Sequence, residues 1–165
     1  MIETKSYTIE AILELLSTIK DPEVPAISIV ELGIVRDVCV REGEVIVTIT
    51  PTYSGCPAMK MIEDDIHSVL NENGFSTIVI KTIHSPAWTT DWISESTKMK
   101  LKNYGIAPPQ SVAQSPLLQI EMPKIICPHC NSQDTQLKSQ FGSTACKSYY
   151  FCHFCRQPFE YFKPF

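Results

Sequence analysis

Two Cys-x-x-Cys pairs, Cys127-Pro128-His129-Cys130 and Cys152-His153-Phe154-Cys155, stand twenty-one residues apart near the end of the chain. No other feature limits the folding of this sequence as strongly. A segment of about forty residues cannot bury enough apolar surface to fold alone, so it needs a staple. Four thiolates on two tight turns supply one, because together they make the tetrahedral soft-donor set that zinc prefers. The runs Thr135 to Phe141 and Lys147 to Phe151 between the pairs read as strands. The pattern predicts a zinc ribbon over residues 124–165, in which metal binding is also folding energy. The same four sulfurs would accept iron as a redox centre. Nine of the fifteen aromatic residues lie between 141 and 165, a setting that suits either ion. His129, His153 and Cys146 are spare potential ligands. Cys146 reads as a buried neighbour, with a redox-labile thiol as the alternative.

The remainder has a different character. The chain has 165 residues, 44% of them hydrophobic and 19% charged, which suits a globular protein with one core of ordinary size plus a small appendage. Met1 to Lys5 leads straight into an amphipathic pattern with acids on its polar face. A cytoplasmic protein with no signal peptide and no membrane partner is therefore expected. Seven cysteines then point to metal or thiol chemistry rather than a secreted disulfide framework. Charge is uneven: residues 1–105 hold nine Lys/Arg against fifteen Asp/Glu, and residues 106–165 hold five against three. An acidic first domain argues against nucleic acid as a partner, since phosphate binding needs a concentrated basic face.

Within that acidic part, Thr50-Pro51-Thr52-Tyr53-Ser54-Gly55-Cys56-Pro57 joins the best strand signal to a helix signal. Glu44 to Thr50 is dense in β-branched residues, and Pro51 cannot donate to a continuing ladder. Gly55 permits a turn, Pro57 suits a first helical position, and Met59, Ile62, Ile66, Val69 and Leu70 recur at helical spacing up to Gly74. Cys56 is thus expected at a helix N-terminus, where the dipole and free N–H groups favour thiolate and lower the thiol's pKa. The alternative is a small buried residue packing under the turn. His67 lies eleven residues along the same helix, about three turns away, so it cannot serve as a local base.

In chain order, Thr8 should cap a first helix marked by Ile9, Ile12, Leu13, Leu16 and Ile19. Asp21-Pro22-Glu23-Val24-Pro25 ends it, and a solvated turn is the plain reading of its two acids. A short turn follows at Ser28 to Gly33. Ile34 to Val40 and Glu44 to Thr50 form a hairpin about Arg41-Glu42-Gly43, and Ser76 to Ile83 gives a third strand. Trp88 and Trp92 read as core or lid residues, with partner binding as the alternative. Asp91 or Thr90 should cap a last helix running to Tyr104, closed by Gly105. Residues 106–123, rich in Pro, Gln and Ser, read as a semi-rigid linker. The expected fold class is a small α/β (α+β) domain over 1–105, with a short mixed sheet and flanking helices, joined to a C-terminal β zinc ribbon.

Six stretches together resemble the PaaD family, an accessory component of the multicomponent phenylacetyl-CoA epoxidase of bacterial aerobic phenylacetate breakdown. They are Asp21 to Pro25, Val30 to Val38, Thr50 to Ala58, Ser85 to Trp92, Tyr104 to Pro109 and Phe141 to Lys147. The first domain alone resembles the wider SufT-like iron–sulfur assembly family, whose Asp-Pro-Glu and Thr-x-x-x-Cys-Pro turns are matched by Asp21, Glu23, Thr52 and Cys56. The resemblance implies a non-catalytic maturation factor for iron–sulfur or di-iron centres. Cys56 would be the thiol that handles a transient cluster or iron, and zinc would sit in the ribbon. The partners implied are the epoxidase subunits or their reductase. An electron-transfer subunit with iron at Cys127, Cys130, Cys152 and Cys155 is the alternative, and a homodimer sharing a cluster between two Cys56 thiolates is a further conjecture.

Overall fold

In the computed structural model, residues 8–110 and 124–165 are described. The chain divides into two compact units, Met1–Trp88 and Thr89–Phe165. The first unit opens with helix α1, Ile9–Leu16, where the Thr8 side chain accepts from the Ala11 N–H as the sequence predicts. Strand β1, Val35–Arg41, and strand β2, Glu44–Ile49, make the antiparallel hairpin. Its turn works because Glu42 and Gly43 both adopt positive φ (51° and 84°), the backbone twist that a two-residue hairpin loop needs. Helix α2, Ala58–Glu72, then crosses over, and strand β3, Ile78–Thr82, pairs parallel to β2. The sheet order is β1-β2-β3.

The core of this unit follows from periodicity. Ile62, Ile66 and Leu70 recur every fourth residue on α2 and are wholly buried, as are Ile12 and Leu16 of α1 and Val47 and Ile49 of β2. Each such side chain contributes roughly 1.5–3 kcal/mol by leaving water. Trp88 is buried too, and its indole N–H donates to the Leu32 carbonyl at 2.9 Å. This bond fixes the turn that follows the Asp21–Pro25 segment.

The second unit departs from expectation at its start. Thr90–Trp92 is a short 3-10 turn, and helix α3 spans Glu95–Tyr104. Its cap is Ser94, whose hydroxyl accepts from the Thr97 N–H, rather than Thr90 or Asp91. The earlier residues are engaged otherwise: the Thr89 hydroxyl accepts from the Asp91 N–H, and the Thr90 N–H donates to the Phe165 carbonyl. Gly105 closes α3 at φ 93°, as expected. Ile106–Ala107, the first residues of the expected linker, form strand β4. Both are buried, and they pair parallel to β7. Residues 111–123 of that linker lie outside the described residues.

Strand β5, Thr135–Ser139, strand β6, Lys147–Cys152, and strand β7, Pro158–Phe162, pair antiparallel and complete a sheet in the order β4-β7-β6-β5. Cross-strand register puts Tyr150 opposite Phe159 and Ser148 opposite Tyr161. The Tyr150 and Phe159 rings stack at 5.7 Å, and together with Ala107, Ile125, Cys127 and Cys152 they make the ribbon's small core. Lys147 is buried, its ammonium 3.0 Å from the Glu160 carboxylate, which also accepts from the Ser143 N–H. Burial would raise the Glu160 carboxyl, but the Ser143 N–H and Lys147 outweigh it and hold the group below the ordinary carboxylate range.

Removing the Glu160 charge takes away the carboxylate that faces the buried Lys147 ammonium. Glu160→Gln should cost about 3 kcal/mol at neutral pH, the lower end for breaking a buried pair because Glu160 is partly exposed. A group whose folded pKa is depressed stabilises above its unfolded value and stops doing so as pH falls through the folded one. The deficit of Glu160→Gln should therefore shrink as thermal unfolding is repeated at pH values descending through the carboxylate range. A Lys147→Met/Glu160→Gln double variant should lose less stability than the single one.

Candidate functional site

Strand β2 ends at Ile49, and the next eight residues carry the chain to α2. Thr50, Pro51 and Thr52 form the buried floor of this turn, while Ser54 and Gly55 are exposed and Tyr53 and Cys56 half-buried at its rim. The Cys56 N–H donates to the Tyr53 carbonyl, and the Met59 N–H to the Cys56 carbonyl, which closes the turn into the helix. Gly55 is at φ 81°, a conformation that L side chains avoid, and a Cβ there would meet nothing within 4 Å. The glycine serves the backbone, and the rim beside it is open.

The Asp21–Pro25 segment contributes the acids. Asp21 is not the solvated residue of an ordinary turn: it is 4% exposed, and its Oδ1 accepts from the N–H groups of Glu23 (2.9 Å) and Val24 (2.8 Å). A second local lock follows, in which the Ser28 N–H donates to the Glu31 carboxylate and the Ser28 hydroxyl accepts from the Glu31 N–H. Glu23 is partly exposed.

These charges reach Cys56, and the consequence runs against the helix-terminus argument. The N–H of Ala58, at the start of α2, and the Tyr53 side chain do hydrogen-bond the thiol and favour its ionisation. Burial outweighs them, with the charges of Glu23 and Asp21 adding to it, and the thiol is pushed up from its ordinary value. Helix polarity is real here but loses to desolvation and two carboxylates. At neutral pH the group is a thiol that needs a cation beside it to ionise fully.

In the ribbon, the turns Cys127–Cys130 and Cys152–Cys155 bring four sulfurs within 4.8 Å of one another. Cys127 and Cys155 are 3.7 Å apart and Cys130 and Cys152 3.6 Å. A tetrahedral ion with metal–sulfur bonds of about 2.3 Å would hold its sulfurs about 3.8 Å apart, so the set fits one tetrahedral metal. Cys127 and Cys152 are wholly buried. Burial and the neighbouring thiols push Cys127 up to about 12, whereas at Cys152 burial is outweighed by N–H groups and adjacent thiols, leaving it at about 7. Four such groups are not ionised together without a cation. Cys146 is buried with its sulfur 3.0 Å from the Thr144 hydroxyl, and His129 packs edge-on against Phe159; neither joins the cluster.

The structure thus brings Asp21 and Glu23 to Cys56 and places Thr52 in the same turn, while the four ribbon cysteines form a separate set. Reasoning from sequence missed Tyr53, which touches the thiol, and Thr50, whose hydroxyl is buried without a hydrogen-bond partner. The one signal for Thr50 was a second threonine flanking Pro51.

Residues 112–163 match the family model for the PaaD zinc beta ribbon domain, and residues 9–73 that for an iron-sulfur cluster assembly protein. The chain is 43% identical to an Escherichia coli protein named as a "Putative 1,2-phenylacetyl-CoA epoxidase" subunit, over 94% of this chain and 92% of that one. An Fe-S protein maturation auxiliary factor of Porphyromonas gingivalis is 34% identical over 57% of this chain and 90% of its own length. Among solved structures, a domain of unknown function, DUF59, from Bacillus anthracis superposes with a TM-score of 0.53 and 30% identity, covering 56% of this chain and 89% of that one. A conserved hypothetical protein from Thermotoga maritima does so at 0.51 and 27%, covering 59% and 97%.

The electrostatics of Cys56 can be read by its reactivity. Peptide-resolved alkylation at neutral pH should label Cys56 more slowly than an unperturbed thiol. Glu23→Gln removes one charge that raises the thiol, so labelling should quicken; an unchanged rate would show that Glu23 does not act on it.

Proposed function

Because the chain belongs to the PaaD family, we propose that it is a non-catalytic maturation factor for the phenylacetyl-CoA epoxidase system, one that receives iron or an iron–sulfur cluster at Cys56 and passes it on. The observation that carries this reading is the contrast between two thiol sites in one chain. Cys56 lies half-buried on an open turn beside two carboxylates, an arrangement that admits a cation and lets it leave. The ribbon set is four thiols with two wholly buried, an arrangement that retains one. Iron at Cys56 is cargo, with Asp21, Glu23 and Thr52 framing its place. Zinc in the ribbon is structural, held by Cys127, Cys130, Cys152 and Cys155.

A cysteine-dependent enzyme is less well supported. A nucleophilic thiol needs a base or a cationic neighbour to stay ionised, and the charges acting on Cys56 are acidic. No helix of the described residues is long and apolar enough to cross a membrane. The partners this reading implies are the epoxidase subunits or their reductase, the ribbon serving as the docking module.

Metal and sulfide content, with an absorbance spectrum, tests the proposal on protein purified without oxygen. Cys127→Ser should lose one zinc, and the ribbon should unfold with it. Cys56→Ser should keep the zinc and lose iron and sulfide. Iron lost with Cys127 instead would mean an electron-transfer ribbon and would overturn the assignment.

A further inference from the structure

In the first unit, the buried polar side chains among the described residues are Asp21, Ser28, Thr50 and Thr52. Three of them, Asp21, Thr50 and Thr52, belong to the two segments that frame Cys56, and Ser28 follows shortly after the first. Polar groups enter a hydrophobic core at a cost, so their confinement to one place marks that place as built for something besides stability. Asp21 and Ser28 are satisfied within their own loops. Thr50 is different. Its backbone N–H donates to the Ile34 carbonyl at 2.9 Å, but its Oγ1 has no partner. Among the described residues it is the one buried side-chain oxygen or nitrogen left so.

Valine has the shape of threonine without the hydroxyl and suits the end of a buried strand better. A hydroxyl held there unsatisfied is explained if its partner arrives with a ligand. Thr50 is the buried first residue of the turn that carries Cys56, and that turn is open at Gly55.

We propose that the Thr50 hydroxyl donates a hydrogen bond to an anionic ligand atom of the iron cargo, sulfide or hydroxide, and so holds the cargo on Cys56. This rests on the reading of Cys56 as the cargo thiol. Thr50 binds no metal itself; it is a positioning residue that acts through the cargo's own ligands. It also gives the turn a preference for an iron species bearing such a ligand over the bare ion.

The test uses the full-length chain in four forms: native, Thr50→Val, Thr50→Ser and Cys56→Ser. Each is loaded without oxygen with ferrous iron, with and without sulfide, then challenged with a chelator. Iron release is followed by absorbance, and thermal midpoints are measured on the unloaded proteins. Unloaded Thr50→Val should be at least as stable as native, since it removes an unsatisfied hydroxyl. Once loaded it should release iron about fivefold faster or more, the factor that one hydrogen bond is worth. Thr50→Ser should release iron at the native rate although it is the less stable protein. A faster release seen only with sulfide would identify sulfide as the acceptor, and one seen with iron alone would identify hydroxide.

Native release by Thr50→Val would overturn the proposal. So would an unloaded Thr50→Val clearly less stable than native, because that means a buried water already satisfies the hydroxyl. Equal loading of Cys56→Ser and native would sink the Cys56 reading itself, and the proposal with it.

Discussion

Parallel pairing of β3 with β2 is the constraint on which the first unit depends. Parallel neighbours cannot be joined by a tight turn, so the chain must leave β2, cross over as a helix and return. The link between β2 and α2 is therefore forced to the carboxyl end of β2, where backbone groups come free as the sheet ends and the helix begins. Cys56 occupies that link. Its helix is tied down by Ile62, Ile66 and Leu70, and its strand lies between two neighbours, so a thiol on a short turn is held by rigid elements on both sides. The Asp21–Pro25 segment adds carboxylates, and Trp88 anchors the turn after it through the Leu32 carbonyl.

On the proposed reading, two ways of holding a metal meet in one sequence, and they differ in physics. The ribbon encloses four like-charged donors whose ionisations are driven apart until an ion unites them; its fold and its metal are one equilibrium. The Cys56 turn offers one sulfur and two nearby carboxylates, with an open rim. Few donors and partial exposure make for weaker, exchangeable binding, which is what a carrier needs and a structural site avoids.

Much of this was legible in the residues. Cys-x-x-Cys spacing announced the ribbon because ligand geometry leaves few alternatives, and β-branched density followed by Pro51, Gly55 and Pro57 announced the strand–turn–helix joint because each residue there has a restricted backbone. What was not legible was set by competition across the fold. The start of α3 could not be chosen locally, since Thr89, Thr90, Asp91 and Ser94 all have capping chemistry and the engagement of Thr89 and Thr90 elsewhere decided it. Ile106 and Ala107 look like the start of a linker until β7 offers them a partner. The pKa direction of Cys56 was missed for the same reason. The helix dipole is visible in sequence, whereas burial and the approach of Glu23 and Asp21 are tertiary facts.

The separation of the two thiol sites is tested most directly by X-ray absorption at the zinc and iron edges of one anaerobically loaded sample. The account predicts zinc with a shell of four sulfurs at about 2.3 Å, and iron with sulfur together with oxygen or sulfide in a different shell. Iron surrounded by four thiolate sulfurs, with zinc absent, would place the metal chemistry in the ribbon and contradict it.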